Sequence, residues 1–136
     1  MNKLLSSFHQ PVVGFFILRW TVAGLMLLHG VFKLLNGVAP IEGMLAGFGL
    51  PTFLAYGVII GEVAAPLLVL ANILVVPAAL VMAFNMVVAV ALAHSSELFT
   101  LSKNGGWALE LQAMYFFGSV AIALLAPPRR TSASET

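Results

Sequence analysis

The side chains of this chain that could do chemistry sit where chemistry is costly to house. Arg19, His29 and Lys33 fall in the first apolar run, Glu62 in the second and His94 at the end of the third, with Trp107 and Glu110 opening the fourth. Arg19 and Lys33, flanked by His29 and Trp107, are of the types that hold carbonyl or anionic oxygens. Glu62, His94 and Glu110 are of the types that exchange protons, because burial brings a carboxylate towards the neutral range where histidine already titrates. An Arg or Lys at the centre of a membrane helix costs roughly 2.5–3.5 kcal/mol, so each needs a partner, a wet cavity or a route to the surface. Finding those partners is the central question the sequence poses.

The composition says why the surroundings are a membrane. Of 136 residues, 61% are hydrophobic and only 8% charged, and the mean hydropathy is +1.06, against about 25% charged residues in ordinary soluble domains. The expectation is an all-α integral membrane protein with one domain over 1–128 and a disordered polar tail over 129–136. With no cysteine, disulfide exchange, thiolate metal sites and iron–sulfur ligation by this chain are excluded. A net charge of +1 with scattered basic residues carries no nucleic-acid signature. The apolar run from Pro11 to Leu35 is too long for a signal-peptide core and contains Arg19, so helix 1 is expected to be retained.

Four spans are expected, at about 11–35, 52–71, 76–94 and 107–126. Pro11 is tolerated in a first turn, and Asn36-Gly37 ends the first helix. Ile41 to Phe48 reads as a short interfacial helix, closed by Gly47-Phe48-Gly49-Leu50-Pro51. In the second span, Gly57 and Gly61 have the spacing that lets membrane helices approach closely, a possible homo-oligomer face. Pro66 cannot donate to the carbonyl of Glu62, so a kink is expected there. Asn72 and Pro77 bracket a tight turn, which makes helices 2 and 3 antiparallel neighbours. Ser95 to Gly106 is the most polar loop, and Trp107 reads as an interfacial anchor at the start of helix 4. Lys3, Arg129 and Arg130 on one side, against Lys33 and Lys103 on the other, favour cytoplasmic termini.

At about 100° per residue, Arg19, Met26, Gly30 and Lys33 form one stripe of helix 1, with His29 on its flank. The simplest pairing sets Arg19 or Lys33 against Glu62 and Glu110, with Arg19–Glu62 as its centre, in a polar pocket open to the outward loops. Other readings stay open. Lys33 could snorkel to the interface, and Arg19 with Glu62 could be a structural ion pair that sets helix register. His29 and His94 lack metal or haem spacing and read as polar contacts, so no metal site is expected. Asn85 reads as an interhelical hydrogen bond on a face opposite His94, and Gln112 faces away from Glu110. The methionines read as packing residues, and His9 as a surface residue.

An Arg in helix 1, then His29-Gly30-x-x-Lys33-Leu34, Gly47-Phe48-Gly49-Leu50-Pro51, an intramembrane Glu62 and Gly105-Gly106-Trp107-Ala108-Leu109-Glu110 together resemble the DoxX family of small four-helix membrane proteins. The Asn72–Pro77 turn lacks the basic residue often found there, and Ala126-Pro127-Pro128-Arg129 replaces the usual ending. The resemblance implies a four-helix bundle of the bacterial inner membrane. It also implies a role as subunit or accessory of a quinone-linked oxidoreductase, with a quinone as ligand and a redox partner protein supplying the electrons. Fold analogy alone does not decide function. A non-catalytic assembly or anchoring subunit and a small-molecule transporter acting as a homo-oligomer are the competing readings.

Overall fold

The computed structural model describes residues 8–127. The tail expected at 129–136, and the basic residues Lys3, Arg129 and Arg130 used for orientation, lie outside that range. The main helices among the described residues are α1 (Pro11–Asn36), α2 (Ala39–Gly47), α3 (Thr52–Leu70), α4 (Val75–Ala93) and α5 (Glu110–Leu125), with a 3-10 turn at Ser95–Glu97 after α4. Among the described residues, α1, α3 and α4 are long and apolar enough to cross a bilayer. The 16 residues of α5 reach about 24 Å at 1.5 Å per residue, shorter than a hydrocarbon core of about 30 Å.

Helix α1 packs on α3 and α5, α3 on α4, and α4 most extensively on α5. The shared core is built from Val22, Ala23 and Met26 of α1, Ala65 and Val69 of α3, Ala78, Ala79, Met82 and Met86 of α4, and Tyr115 and Ile122 of α5. Four of these eleven are alanines, which let the helices approach closely; membrane helices gain little from burying apolar surface and associate through close packing instead. Met26 and Met82 are among the largest fully buried side chains. The helix α2 packs through Leu45 on Val38 and Ala55 in a smaller cluster.

The helix α3 changes type along its length. Thr52–Tyr56 is a 3-10 turn, and Ile60–Ala64 is a π turn that carries Glu62. The irregularity expected from Pro66 takes this π form, with the Ala65 N–H donating to the Ile60 carbonyl instead of one residue nearer. Single π turns of this sort are common at functional sites. Asn72 and Leu74 adopt positive φ in the α3–α4 turn. This conformation is easy for Asn and uncommon for Leu.

Two expectations need correction. Helix 4 begins at Glu110, not Trp107, because the preceding backbone is held in a hairpin: the Ser102 N–H donates to the Gly106 carbonyl at 2.7 Å, and the Ala108 N–H to the Thr100 carbonyl at 3.0 Å. Gly61 is not a free face for a second copy. A Cβ there would stand within 2.6 Å of the Asn85 side chain, so Gly61 is the space into which α4 sets Asn85, while Gly57 has nothing within 4 Å.

Candidate functional site

The stripe on α1 does face the bundle, but it meets α3 in a register that separates its two cations. Lys33 Nζ donates to both carboxylate oxygens of Glu62 at 2.6 Å. The Glu62 side chain is 4% exposed and that of Lys33 30%. Asn85 Nδ2 adds a third donor to Glu62 Oε1 at 3.3 Å. A carboxylate that accepts three hydrogen bonds, two from an ammonium, offsets much of its desolvation cost. Lys33 therefore does not escape to the interface; it is drawn inwards by Glu62.

Arg19 lies elsewhere. Its Nη1 donates to Asn72 Oδ1 at the α3–α4 turn, and the guanidinium packs over Phe15 and Phe16 at 5.8 and 6.0 Å from the ring centroids. The expected Arg19–Glu62 pair is thus replaced by Lys33–Glu62 and Arg19–Asn72. The two contacts agree on one antiparallel arrangement: moving from Arg19 to Lys33 along α1 runs opposite to moving from Glu62 towards Asn72, just past the end of α3.

Around the Lys33–Glu62 pair lies a cavity of about 200 Å³ lined by Met26, His29, Lys33, Glu62, Met86, Ala89, His94, Leu111, Gln112 and Tyr115. It therefore brings together four of the candidate residues, His29, Lys33, Glu62 and His94. The His29 ring meets Tyr115 edge-on at 5.7 Å. His94 caps α4, and its Nδ1 lies 2.9 Å from Glu97 Oε2. Trp107 and Glu110 do not line the cavity. Trp107 Nε1 donates to the Leu98 carbonyl at 2.9 Å, and its ring lines a neighbouring apolar groove. Glu110 is exposed in the first turn of α5, beside Gly106, where a carboxylate complements the helix dipole.

Asn85 makes the interhelical hydrogen bond expected of it, to the Glu62 carboxylate, and does not line the cavity with His94. Sequence reasoning missed two contributors to the cavity. Tyr115 and Gln112 line the cavity, and Gln112 Oε1 is buried without a hydrogen-bond partner. The signal for these two was readable: Gln112, Tyr115, Ser119 and Ile122 recur at helical spacing, and the last three form the buried stripe of α5. Phasing the helix on Glu110 instead of this stripe turned Gln112 the wrong way. Among the described residues, no three His, Asp or Glu side chains converge as metal ligands.

An all-helical chain with three membrane-capable helices and a lysine–carboxylate pair at their interface is a small multi-pass membrane protein. The sequence model of the DoxX family matches residues 14–95, and the chain belongs to the DoxX family. The match spans α1 to α4, including Arg19, Lys33, Glu62, Asn85 and His94, and stops before α5. No curated protein and no solved structure matches the chain.

Proposed function

We propose that the chain is a four-span subunit of a quinone-linked oxidoreductase system in the bacterial inner membrane, and that a quinone or similar small redox molecule binds beside the Lys33–Glu62 pair. The carrying observation is the unpartnered buried Oε1 of Gln112 at a cavity that also holds a lysine, a carboxylate, two histidines and a tyrosine. An apolar cavity of about 150 Å³ admits benzene, so this volume suits one six-membered ring with oxygen substituents. The α5 span is completed by the hairpin before it, whose exposed Phe99, Leu101 and Trp107 suit the headgroup region. The short helix α2 lies along the same interface, and the termini are cytoplasmic.

A quinone supplies two-electron, two-proton chemistry at its two ring oxygens, with electrons delivered by a partner protein. The residues of this chain bind and manage protons. Lys33 has three N–H donors; two face Glu62, which leaves one for a carbonyl oxygen in the cavity. Gln112 Oε1 accepts from an O–H, which the ligand carries in its reduced, quinol form. His94 stands between the cavity and the half-exposed Glu97, a position suited to passing protons inwards from outside. Glu62, held by Lys33 and Asn85, sets the charge of the pocket to zero when the pair is ionised. The test is quinone content after purification in detergent. Loss of quinone in Glu62→Gln and Gln112→Leu is expected, and unchanged content in both removes the reading.

One observation favours a second reading, a non-catalytic assembly or anchoring subunit: Glu62 is already satisfied by Lys33 and Asn85 within the chain. The exchanged pair Lys33→Glu with Glu62→Lys separates the two. An assembly role survives the exchange, whereas a ligand site that folds but loses its quinone supports the first reading.

A further inference from the structure

The polar cavity shares a wall with an apolar one. Between α4 and α5 runs a groove of about 260 Å³ lined by Val90, Leu98, Trp107, Ala113 and Phe116 among others, and two of its residues, Met86 and Gln112, also line the cavity beside Lys33. Leu98 and Trp107 are substantially exposed, so the groove opens to the surroundings of the bundle.

We propose that the ligand of this protein is an amphiphile that enters from the lipid between α4 and α5. Its one-ring, hydrogen-bonding head passes Met86 and Gln112 into the cavity, and its flexible apolar tail stays in the groove against Trp107. The inference rests on the reading that the cavity binds a small molecule, and it adds the class of that molecule and its route. The occupant follows from the shared wall. Gln112 is the one residue that presents an amide to both spaces, and its buried Oε1 lacks a donor, which an O–H of the head in its reduced, quinol form supplies. Met86 is unbranched and adaptable, the kind of side chain that yields to a passing ring. An acyl chain gains little by moving from lipid to an apolar groove, since the two are equally apolar. The groove therefore decides which molecules fit and where they lie, not how tightly they bind.

The test uses the full chain in lipid nanodiscs with two probes kept reduced under anaerobic conditions, tetramethyl-1,4-hydroquinone and trimethylhydroquinone carrying a decyl chain, so that each head has the O–H that Gln112 Oε1 accepts. Full substitution of the ring protects any oxidised trace from attack by Lys33. Ala113→Phe fills the groove at a residue that does not line the cavity. Overpacking of this kind is expected to weaken the decyl probe about tenfold or more while the tail-less probe changes less than about twofold. In an independent measurement without a groove variant, a bromine at the end of the decyl chain should quench Trp107, read in Trp20→Phe, more strongly than Trp20, read in Trp107→Phe.

Equal effects of Ala113→Phe on both probes, or no effect on either, overturn the proposal, as does equal quenching of the two tryptophans. So does quenching of Trp107 by brominated phosphatidylcholine that the decyl probe does not relieve, which would give the groove to bulk lipid. Binding of the tail-less probe without the decyl probe overturns the inference but leaves the ligand reading standing. Failure of both probes to bind the unaltered protein removes the two together.

Discussion

Gly30 of α1 faces the backbone carbonyl of Glu62 so closely that a methyl group at Gly30 would overlap it and stand 2.6 Å from Val63 Cγ2. This is the carbonyl that Pro66 leaves without its α-helical donor. The absent side chain lets α1 shield that oxygen from the apolar surroundings and lets the neighbouring turn bring Lys33 onto the carboxylate. Gly30→Ala must push the two helices apart, at a cost of about 1–3 kcal/mol. A lowered Tm in detergent is expected, with a larger drop for Gly30→Val; an unchanged Tm for both would show that the contact carries no load.

Lys33→Met removes the only ion-pair partner of Glu62 found among the described residues and leaves a buried carboxylate behind. Breaking a fully buried pair costs about 3–5 kcal/mol, and the partial exposure of Lys33 places the expected loss at or below the lower end of that range. Adding Glu62→Gln should recover most of it. Chemical denaturation of the two single variants and the double variant measures the coupling, and strictly additive losses would deny the pair any energetic role.

Gly61→Ala brings a methyl group onto the Asn85 side chain and should destabilise the bundle by about 1–3 kcal/mol. In an Asn85→Ala background the space is vacated, so most of that penalty should vanish. Contacting residues are expected to show such non-additivity. The same cycle made with Gly57→Ala, where the space is open, should show neither the penalty nor the coupling.

The register of α1 on α3 predicts which charge exchanges a cell tolerates. Arg19→Glu with Glu62→Arg places like-sized charges at positions that never meet, so it should fail to accumulate in the membrane. Lys33→Glu with Glu62→Lys keeps one ion pair at one place and should accumulate. Immunoblots of membrane fractions distinguish them, and equal accumulation of both would contradict the register.

Much of the architecture was legible because it depends on local physics. Apolar runs and their breakers placed α1, α3 and α4 to within a residue or two, since Pro11, Gly37 and the Asn72 turn act on the backbone directly. Pro66 announced an irregular backbone at Glu62, although not that it would be a π turn. The start of α5 was misjudged because the hairpin that holds Trp107 is closed by hydrogen bonds from Ser102 to Gly106 and from Ala108 to Thr100, in a loop whose pairing no helical pattern encodes.

The sequence by itself determined that this is a membrane protein of the DoxX family, that its ionisable residues need partners, and which side chains share a stripe on α1. Only the tertiary structure decided the partners: Glu62 took Lys33 and Asn85, Arg19 took Asn72, and Gln112 and Tyr115 joined the cavity in place of Glu110. The reason is physical. Helical periodicity specifies the direction of a side chain around its own axis, but the axial offset between two helices is set by close packing, here by Gly30 against the Glu62 carbonyl and Gly61 against Asn85. No single segment contains that offset.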